Sequence, residues 1–585
     1  MKSQVTGALT HMSATVWRVA TALVAAAVLV GCGGGGQVPF TGVTMRPLSP
    51  EFTSRKAVNY MPFRTAIDVN DRENEVITEA MVKQDLDLLL QAGFGLIRQF
   101  DCSDKVAKLT LQVIRTYNLN IKVQVGAYMQ SGDDAANQAE ISRCIALANQ
   151  FSDSVLAVSV GNENMVSWSL NRIEPTVMAG YISQVRRAIN QPVTTDDNYA
   201  FWATAPNSIT DVVDYVSLHT YTILDTVFDP NLWDWKQQAV PEAERATAMM
   251  DASIVEARRQ YNLARSALDS KGLTRLPITI GETGWNAVDL GRLRFRAHPV
   301  NQKMYYDRLQ VWATEGRTGA GPKAIFYFEA FDEPWKQGDD KWGLFNVERQ
   351  ARFVIQALNP PSSTWVYEPG TYTAEDAVFF KVTEPGPPVT ASPYKVYAEA
   401  GVPAATVSAS CNLDPAVWRI DAFDGSTAVW SEINSTFAPG DAANSCEIMP
   451  RPRDYGWGVL YQFVAGAPAG GTVNLSEFAA TGKLNFGIKT TYPGKIEIGL
   501  STDSGELGGQ EVFLPIGNGD FGYCNTGEWC QVSIPLSVFK AANPNLDFSR
   551  VVLQFVISDV YSRTGKPANS NIRTPIVFDA VTWSK

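Results

Sequence analysis

Two glutamates stand directly after apolar runs. Glu163 lies in Gly161-Asn162-Glu163-Asn164 after the run from Val155 to Val160, and Glu282 lies in Gly281-Glu282-Thr283-Gly284-Trp285 after Pro277-Ile278-Thr279-Ile280. One such residue commonly caps the next helix or forms an ion pair. Two at matching positions, each following backbone that must be buried, point instead to a pair of carboxyl groups delivered into one cleft. Glycoside cleavage uses such a pair: one carboxyl protonates the departing oxygen and the other meets the developing oxocarbenium charge, at a separation of about 5 to 5.5 Å in a retaining mechanism. The expectation is a protonated Glu163, its acidity weakened by its surroundings and the neighbouring anion, and an ionised Glu282.

Other hydrolytic chemistries are poorly supplied. The chain has three histidines, and His11 falls in the leading segment, which leaves His219 and His298. That scarcity argues against zinc hydrolysis and serine triads, and the two-carboxylate mechanism requires no metal and no organic cofactor, with a calcium ion stabilising the C-terminal part left open. A net charge of −11 without a basic block repels nucleic acid and anionic lipid, and suits a neutral substrate.

The glutamates need a frame that brings distant strand ends together. Between Ala57 and about Leu358, eight short apolar runs alternate with amphipathic stretches. The runs are Ala57 to Tyr60, Leu96 to Phe100, Ile121 to Val125, Val155 to Val160, Pro192 to Thr195, Tyr215 to Leu218, Pro277 to Ile280 and Ala324 to Phe328. This is the pattern of a (β/α)8 TIM barrel, an α/β fold whose strand C-termini share one catalytic face. Val82, Leu86, Leu89 and Leu90 repeat at helical spacing with Gly93 placed to end the helix, and Ser103 is placed to cap the next. Tyr305, Leu309 and Trp312 form one face before the eighth run. A helix near Ala252 to Leu268 is expected within the long stretch from Thr222 to Gly272, beside a loop carrying Trp233 and Trp235.

Five regions follow from texture: a leader over 1–32, a Gly-rich tether over 33–50, the barrel over 51–360, a Pro-rich linker over 361–395 and an antiparallel β-sandwich over 396–585. Leu484, Phe486 and Ile488 alternate with polar partners, as do Ile496, Ile498 and Leu500, and Ile576-Val577-Phe578 closes the pattern. In the leader, Arg18 precedes an apolar run from Val19 to Val30 that is too short to span a bilayer. It ends in Leu29-Val30-Gly31-Cys32, which resembles a bacterial lipobox. That resemblance implies export, lipidation of Cys32 and anchoring in a membrane, with the outer membrane favoured because no retention Asp follows Cys32. A plain signal peptide is the alternative.

Six further cysteines permit fifteen connectivities. Cys524 with Cys530 and Cys411 with Cys446 are the simplest pairings. Cys102 and Cys144 are expected to stand apart, because ten residues down a helix is a drop of roughly 15 Å.

Taken together, Val58-Asn59-Tyr60, Ile97-Arg98-Gln99-Phe100, Val160-Gly161-Asn162-Glu163, Gly281-Glu282-Thr283-Gly284-Trp285, Asn301-Gln302, Phe328 to Lys336 and Trp342-Gly343-Leu344-Phe345 resemble glycoside hydrolase family 17, the β-1,3-glucanases. The resemblance implies Glu163 as acid/base and Glu282 as nucleophile. It also implies Tyr60, Asn162, Glu333 and Lys336 along the sugar subsites, with Asn162 on a sugar 2-hydroxyl. A further family glutamate is matched only by Asp339, and the Thr222 to Gly272 stretch departs from the plant enzymes. Trp285, Phe331, Trp335 and Tyr221 are candidates to stack on sugar faces, with a core role as the alternative. His219 is equally a substrate contact or a structural hydrogen-bonding residue. The C-terminal part resembles carbohydrate-binding sandwiches, where Trp430, Trp457, Tyr461 and Trp529 serve either as a platform or as core.

The expected partner is a β-1,3-glucan of the laminarin type, acted on by a monomer. Two other readings stand beside hydrolysis: transfer of the same covalent intermediate to a sugar hydroxyl, and a non-catalytic surface lipoprotein that binds glycan.

Overall fold

The computed structural model describes residues 44–66, 72–169, 171–229, 231–289, 293, 295–336, 341–381, 384–396, 418–423, 446–448, 450, 452, 456–463, 472–503, 509–568 and 570–585. The leader, Cys32, Asp339, Cys411 and Trp430 lie outside them. The chain forms two compact units, divided at Phe380/Lys381.

In the first unit, eight parallel strands close into a barrel: β1 (Lys56–Asn59), β2 (Phe94–Arg98), β3 (Lys122–Ala127), β4 (Val155–Asn162), β5 (Val193–Asn198), β6 (Val216–His219), β7 (Ile278–Thr283) and β8 (Ile325–Tyr327). Closure comes from β1 pairing with both β2 and β8, which leaves no exposed sheet edge. Each strand coincides with one of the eight apolar runs to within a few residues.

The helices between them follow local signals. Thr78 caps the helix Glu79–Gln91, which buries Val82, Leu86, Leu88 and Leu89. The backbone then turns at Gly93 with φ +81°, a conformation that glycine adopts without a Cβ penalty. Ser103 accepts the Val106 N–H and starts Asp104–Lys108, a π-helical turn that runs into Leu109–Thr116. Between β6 and β7 the long helix spans Arg245–Ser270, several residues longer at its start than the sequence reading.

Three boundaries differ from expectation. Residues from Thr44 are not tether: Arg46 reaches the Gln191 and Arg186 carbonyls, its N–H meets Asp214, and Phe52 packs edge-on against Tyr215 and Phe326 at the end of the barrel opposite the glutamates. The segment 361–380 is not linker either. Ala351 bridges to Tyr367, Asn301 exchanges two hydrogen bonds with Val378, and Phe380 packs on Trp235. Proline-rich composition marks irregular backbone, not detachment from a core. The second unit also starts before residue 396.

That unit contains β9 (Tyr394–Lys395), β10 (Trp418–Phe423), β11 (Cys446–Ile448), β12 (Gly456–Phe463), β13 (Lys483–Thr490), β14 (Ile496–Asp503), β15 (Gly509–Ile516), β16 (Trp529–Pro535), β17 (Val551–Val560) and β18 (Ile576–Ser584). They form two antiparallel sheets, β10-β12-β17-β14-β15 and β11-β18-β13-β16, with β9 on β18. Leu484, Phe486, Ile488, Ile496, Ile498 and Leu500 all enter its core, as their alternation predicts. Trp457 is core and not platform, fully buried with its indole N–H on the Tyr492 hydroxyl. Cys524 and Cys530 are joined.

Cys102 and Cys144 are joined as well, with Cα atoms 5.2 Å apart, which corrects the expectation that they stand too far apart. Residues 128–133 separate β3 from the helix Asp134–Gln150, so the helix starts above the strand end. Ten residues of descent then bring Cys144 level with Gly126, whose carbonyl lies 3.8 Å from its sulfur and 3.4 Å from that of Cys102.

Candidate active site

Glu163 leaves the end of β4 through a tight turn. Gly161 has φ +88° and Glu163 itself φ +48°. A Cβ on Gly161 would meet the Asn164 side chain at 2.6 Å, so the glycine is required there. Asn164 fastens the turn from below, accepting the Asn162 N–H and donating to the carbonyls of Met129 and Asn171. From β5, the Asp196 carbonyl accepts the Glu163 N–H at 2.9 Å, and the Asp197 carboxylate accepts the Met165 N–H at 2.8 Å.

Glu282 lies within β7, one position past Gly281. A Cβ on Gly281 would strike Ser217 Oγ and Asp196 Oδ1, so only glycine lets β7 approach this polar layer. Three groups hold the Glu282 carboxylate: Arg98 Nη1 donates to Oε1 at 2.8 Å, the Tyr221 hydroxyl donates to Oε2 at 2.7 Å, and His219 Nε2 stands 3.6 Å from Oε1. Arg98 is buried in the barrel and also donates to Asp196 Oδ2 at 2.9 Å and Asn162 Oδ1 at 2.5 Å. A guanidinium with several fixed donors suits this task, since it neutralises two carboxylates and orients an amide at once.

The two glutamates flank one imidazole. His219 Nδ1 is 3.0 Å from Glu163 Oε1, while its other nitrogen faces Glu282. Their exposures differ: the side chain of Glu163 is 36% open and that of Glu282 7%. Burial works to raise the Glu282 pKa, but the His219 and Arg98 charges and the Tyr221 and Arg98 hydrogen bonds outweigh it and hold the carboxyl below its ordinary range. His219 is shifted up: burial opposes its charge, and Glu282 with Glu163 overcomes that. Burial and the Glu282 charge push the Tyr221 phenol well up, so it remains a donor. Desolvation, then the Glu163 charge, push Asp197 up to about 7.

An aromatic wall adjoins this centre. Tyr221 meets Phe328 and Trp342 edge-on at 5.8 and 5.4 Å, and Phe100 meets Phe328 at 6.4 Å. Beside it, Lys336 Nζ lies 4.4 Å from the Phe328 ring centroid and is ion-paired with Glu329 and Glu333. Burial and the second carboxylate raise the Glu329 pKa against the opposing pull of Lys336.

The other expected sugar contacts are enclosed by protein: Tyr60, Trp285, Phe331, Glu333, Trp335 and Lys336 are at most 6% exposed. Trp285 is a core residue, its indole N–H on the Arg296 carbonyl and its ring 5.1 Å from Tyr305. Phe331 stacks on Phe345 at 5.2 Å and carries the Arg349 guanidinium at 4.5 Å, so neither face is free for a sugar. Tyr60 points its hydroxyl at Asp85, and Arg72 lies 4.5 Å over the Trp335 ring. Trp235 anchors its loop, covered by Arg296 at 3.7 Å. Asn162 and Tyr221, by contrast, are partly exposed beside the glutamates.

Arg98, Asp196, Asp197, Phe328 and Trp342 were assigned no role from the sequence. A signal existed for the first three: an arginine closing the run Leu96-Ile97, and paired aspartates closing Val193-Thr194-Thr195, are charges where a strand should be buried.

A closed parallel barrel with two carboxylates at its strand ends, one ionised and enclosed and the other open, is the arrangement of a carbohydrate-cleaving barrel enzyme. Residues 57–350 match the BtgE/BtgC glycoside hydrolase domain, and the chain belongs to that family of glycoside hydrolases. Residues 434–573 match carbohydrate binding domain 30. Among solved structures, an endo-laminarinase from Formosa Hel1_33_131 is 25% identical, with a TM-score of 0.48 over 52% of this chain and 86% of that one. A glycoside hydrolase family 17 β-1,3-glucanosyltransferase from Rhizomucor miehei is 21% identical, with a TM-score of 0.38 over 52% of this chain and 97% of that one. A glucan 1,3-beta-glucosidase from Arthroderma benhamiae is 24% identical over 221 residues, 34% of this chain. The match spans 61% of that relative's length.

Proposed function

We propose that the chain is a retaining glycoside hydrolase that cleaves β-1,3-glucan by double displacement, with Glu163 as acid/base and Glu282 as nucleophile. The observation that carries this reading is the Glu282 carboxylate, enclosed and hydrogen-bonded by Arg98 and Tyr221 beside His219, with the open Glu163 across the same imidazole. In the first step Glu282 attacks the anomeric carbon, the glycosidic bond breaks, and the departing sugar oxygen takes the proton of Glu163. In the second, water gives its proton to Glu163 and displaces Glu282, so the β configuration is regained. Arg98 and Tyr221 keep the nucleophile charged and aimed, and groups already in place cost no reorganisation during reaction.

The linkage preference rests on the motif resemblance and on the β-1,3-glucan activities named for the relatives. The same reading includes glucan binding by the second unit, and export with a lipid anchor on Cys32.

Laminarin incubated with the full chain is to give shorter products whose fresh anomeric signal is β. Glu282→Gln is to abolish turnover and still co-sediment with insoluble β-1,3-glucan. Unchanged turnover in that variant, or products of α configuration, would overturn the assignment. Products longer than the starting oligosaccharide would convert hydrolysis into transfer. Mass spectrometry of the mature N-terminal peptide tests the anchor: an acylated Cys32 supports it, and a free N-terminus elsewhere removes it.

A further inference from the structure

The carboxylate of Asp197 has no part in the two-step reaction, yet it is fully buried next to the acid/base turn. Its neighbour Asp196 points into the barrel, onto Arg98, so Asp197, the next residue of an extended strand, points out of the barrel wall and away from the sugar. There its Oδ2 accepts the Met165 N–H at 2.8 Å and its Oδ1 accepts the Asn198 N–H at 2.8 Å. Met165 lies two residues beyond Glu163, and the Asp196 carbonyl takes the Glu163 N–H itself. Two successive residues of β5 therefore grip the turn on both sides of the acid/base.

The turn needs gripping. In the left-handed region the Cβ of a non-glycine residue crowds its own backbone, and Glu163 sits there at φ +48°. It persists only where surrounding bonds over-determine it.

We propose that Asp197 is a positioning residue for the acid/base: by accepting the Met165 N–H it sets the height and direction at which Glu163 presents its carboxyl to the departing oxygen. The proposal rests on the assignment of Glu163 above. It makes Asp197 matter for proton delivery and not for nucleophilic attack, which Arg98 and Tyr221 control from the other side.

That separation can be measured, because a departing group that is already a weak base needs no proton. The test compares kcat/KM, which reports the glycosylation step, on a β-1,3-gluco-oligosaccharide and on a dinitrophenyl β-laminaribioside. Active sites are counted by stoichiometric labelling of the nucleophile with a fluorinated analogue, so loss of folded protein does not alter the ratio. Asp197→Asn, whose amide keeps one acceptor oxygen and places an NH2 against the other backbone N–H, is to lose roughly tenfold to a hundredfold on the oligosaccharide, short of the 10²–10⁴ supplied by a whole acid/base group. On the dinitrophenyl substrate it is to stay within about threefold of the parent. Asp197→Ala is to show the same split, larger.

Equal losses on both substrates, or no loss on the oligosaccharide, would overturn the proposal. Glu163→Ala run in parallel keeps the two readings apart. If it lacks the split, the acid/base assignment fails; if it shows the split and both Asp197 variants do not, the positioning role alone fails.

Discussion

Arg98 Nη1 donates to Glu282 Oε1 at 2.8 Å from inside the barrel wall, and both side chains are almost fully enclosed. A buried charge pair is a poor source of net stability, because desolvation consumes most of the attraction. Here it keeps a carboxylate ionised in a place where burial alone would protonate it, which is what an attacking carboxylate requires.

Tyr221→Phe keeps the ring among Phe328 and Trp342 and removes only the bond to Glu282 Oε2. A hydrogen bond to a charged group is worth about 1.5–3 kcal/mol, so kcat/KM on glucan is expected to fall roughly tenfold to a hundredfold. Removing one influence that lowers the Glu282 pKa raises it, and the acid limb of the pH profile moves to higher pH. Steady-state rates across pH 4 to 7 check both effects.

Lys336→Met is expected to destabilise the barrel strongly. It leaves Glu329 and Glu333 buried with no cation between them, and breaking such a cluster costs about 3–5 kcal/mol. Denaturant melts read the loss, and adding Glu329→Gln to the same chain is to recover part of it by removing one of the two buried acids that Lys336 paired.

The pH dependence of stability carries the mark of Asp197. Its folded pKa of about 7 lies above the ordinary value of 3.8. The folded protein therefore holds a proton that the unfolded chain has lost, and the resulting stability, complete below pH 3.8, fades as pH rises through about 7. Asp197→Asn has no such proton, so the Tm difference, parent minus variant, is expected to shrink between pH 5 and pH 8. A constant difference in scanning calorimetry would contradict the shift.

Cys102→Ser with Cys144→Ser is expected to lower stability by about 2–4 kcal/mol, since the bond closes a loop across 42 residues on the side of the barrel. Reduction of the parent is to cost that amount on top of whatever opening Cys524–Cys530 costs, and the double variant is to keep only the latter response.

Much of the architecture was legible because it is written in local periods. Each of the eight apolar runs became a strand, Thr78 and Ser103 cap helices and Gly93 ends one, and the alternating residues around Leu484 and Ile496 face one core. Where a strand ends is a local property too, so the placement of Glu163 and Glu282 followed from the residues before them.

Partnership was not local. That Arg98 joins Asp196, Asn162 and Glu282 depends on strands from four parts of the chain closing one ring. That Trp285 and Phe331 are enclosed, and that Cys102 reaches Cys144, depends on how later segments and one six-residue loop set heights and cover faces. A residue's own neighbours decide which way its side chain leaves the backbone; only the closed tertiary arrangement decides what it meets there, because those contacts are made by groups on other segments, up to 184 residues away along the chain.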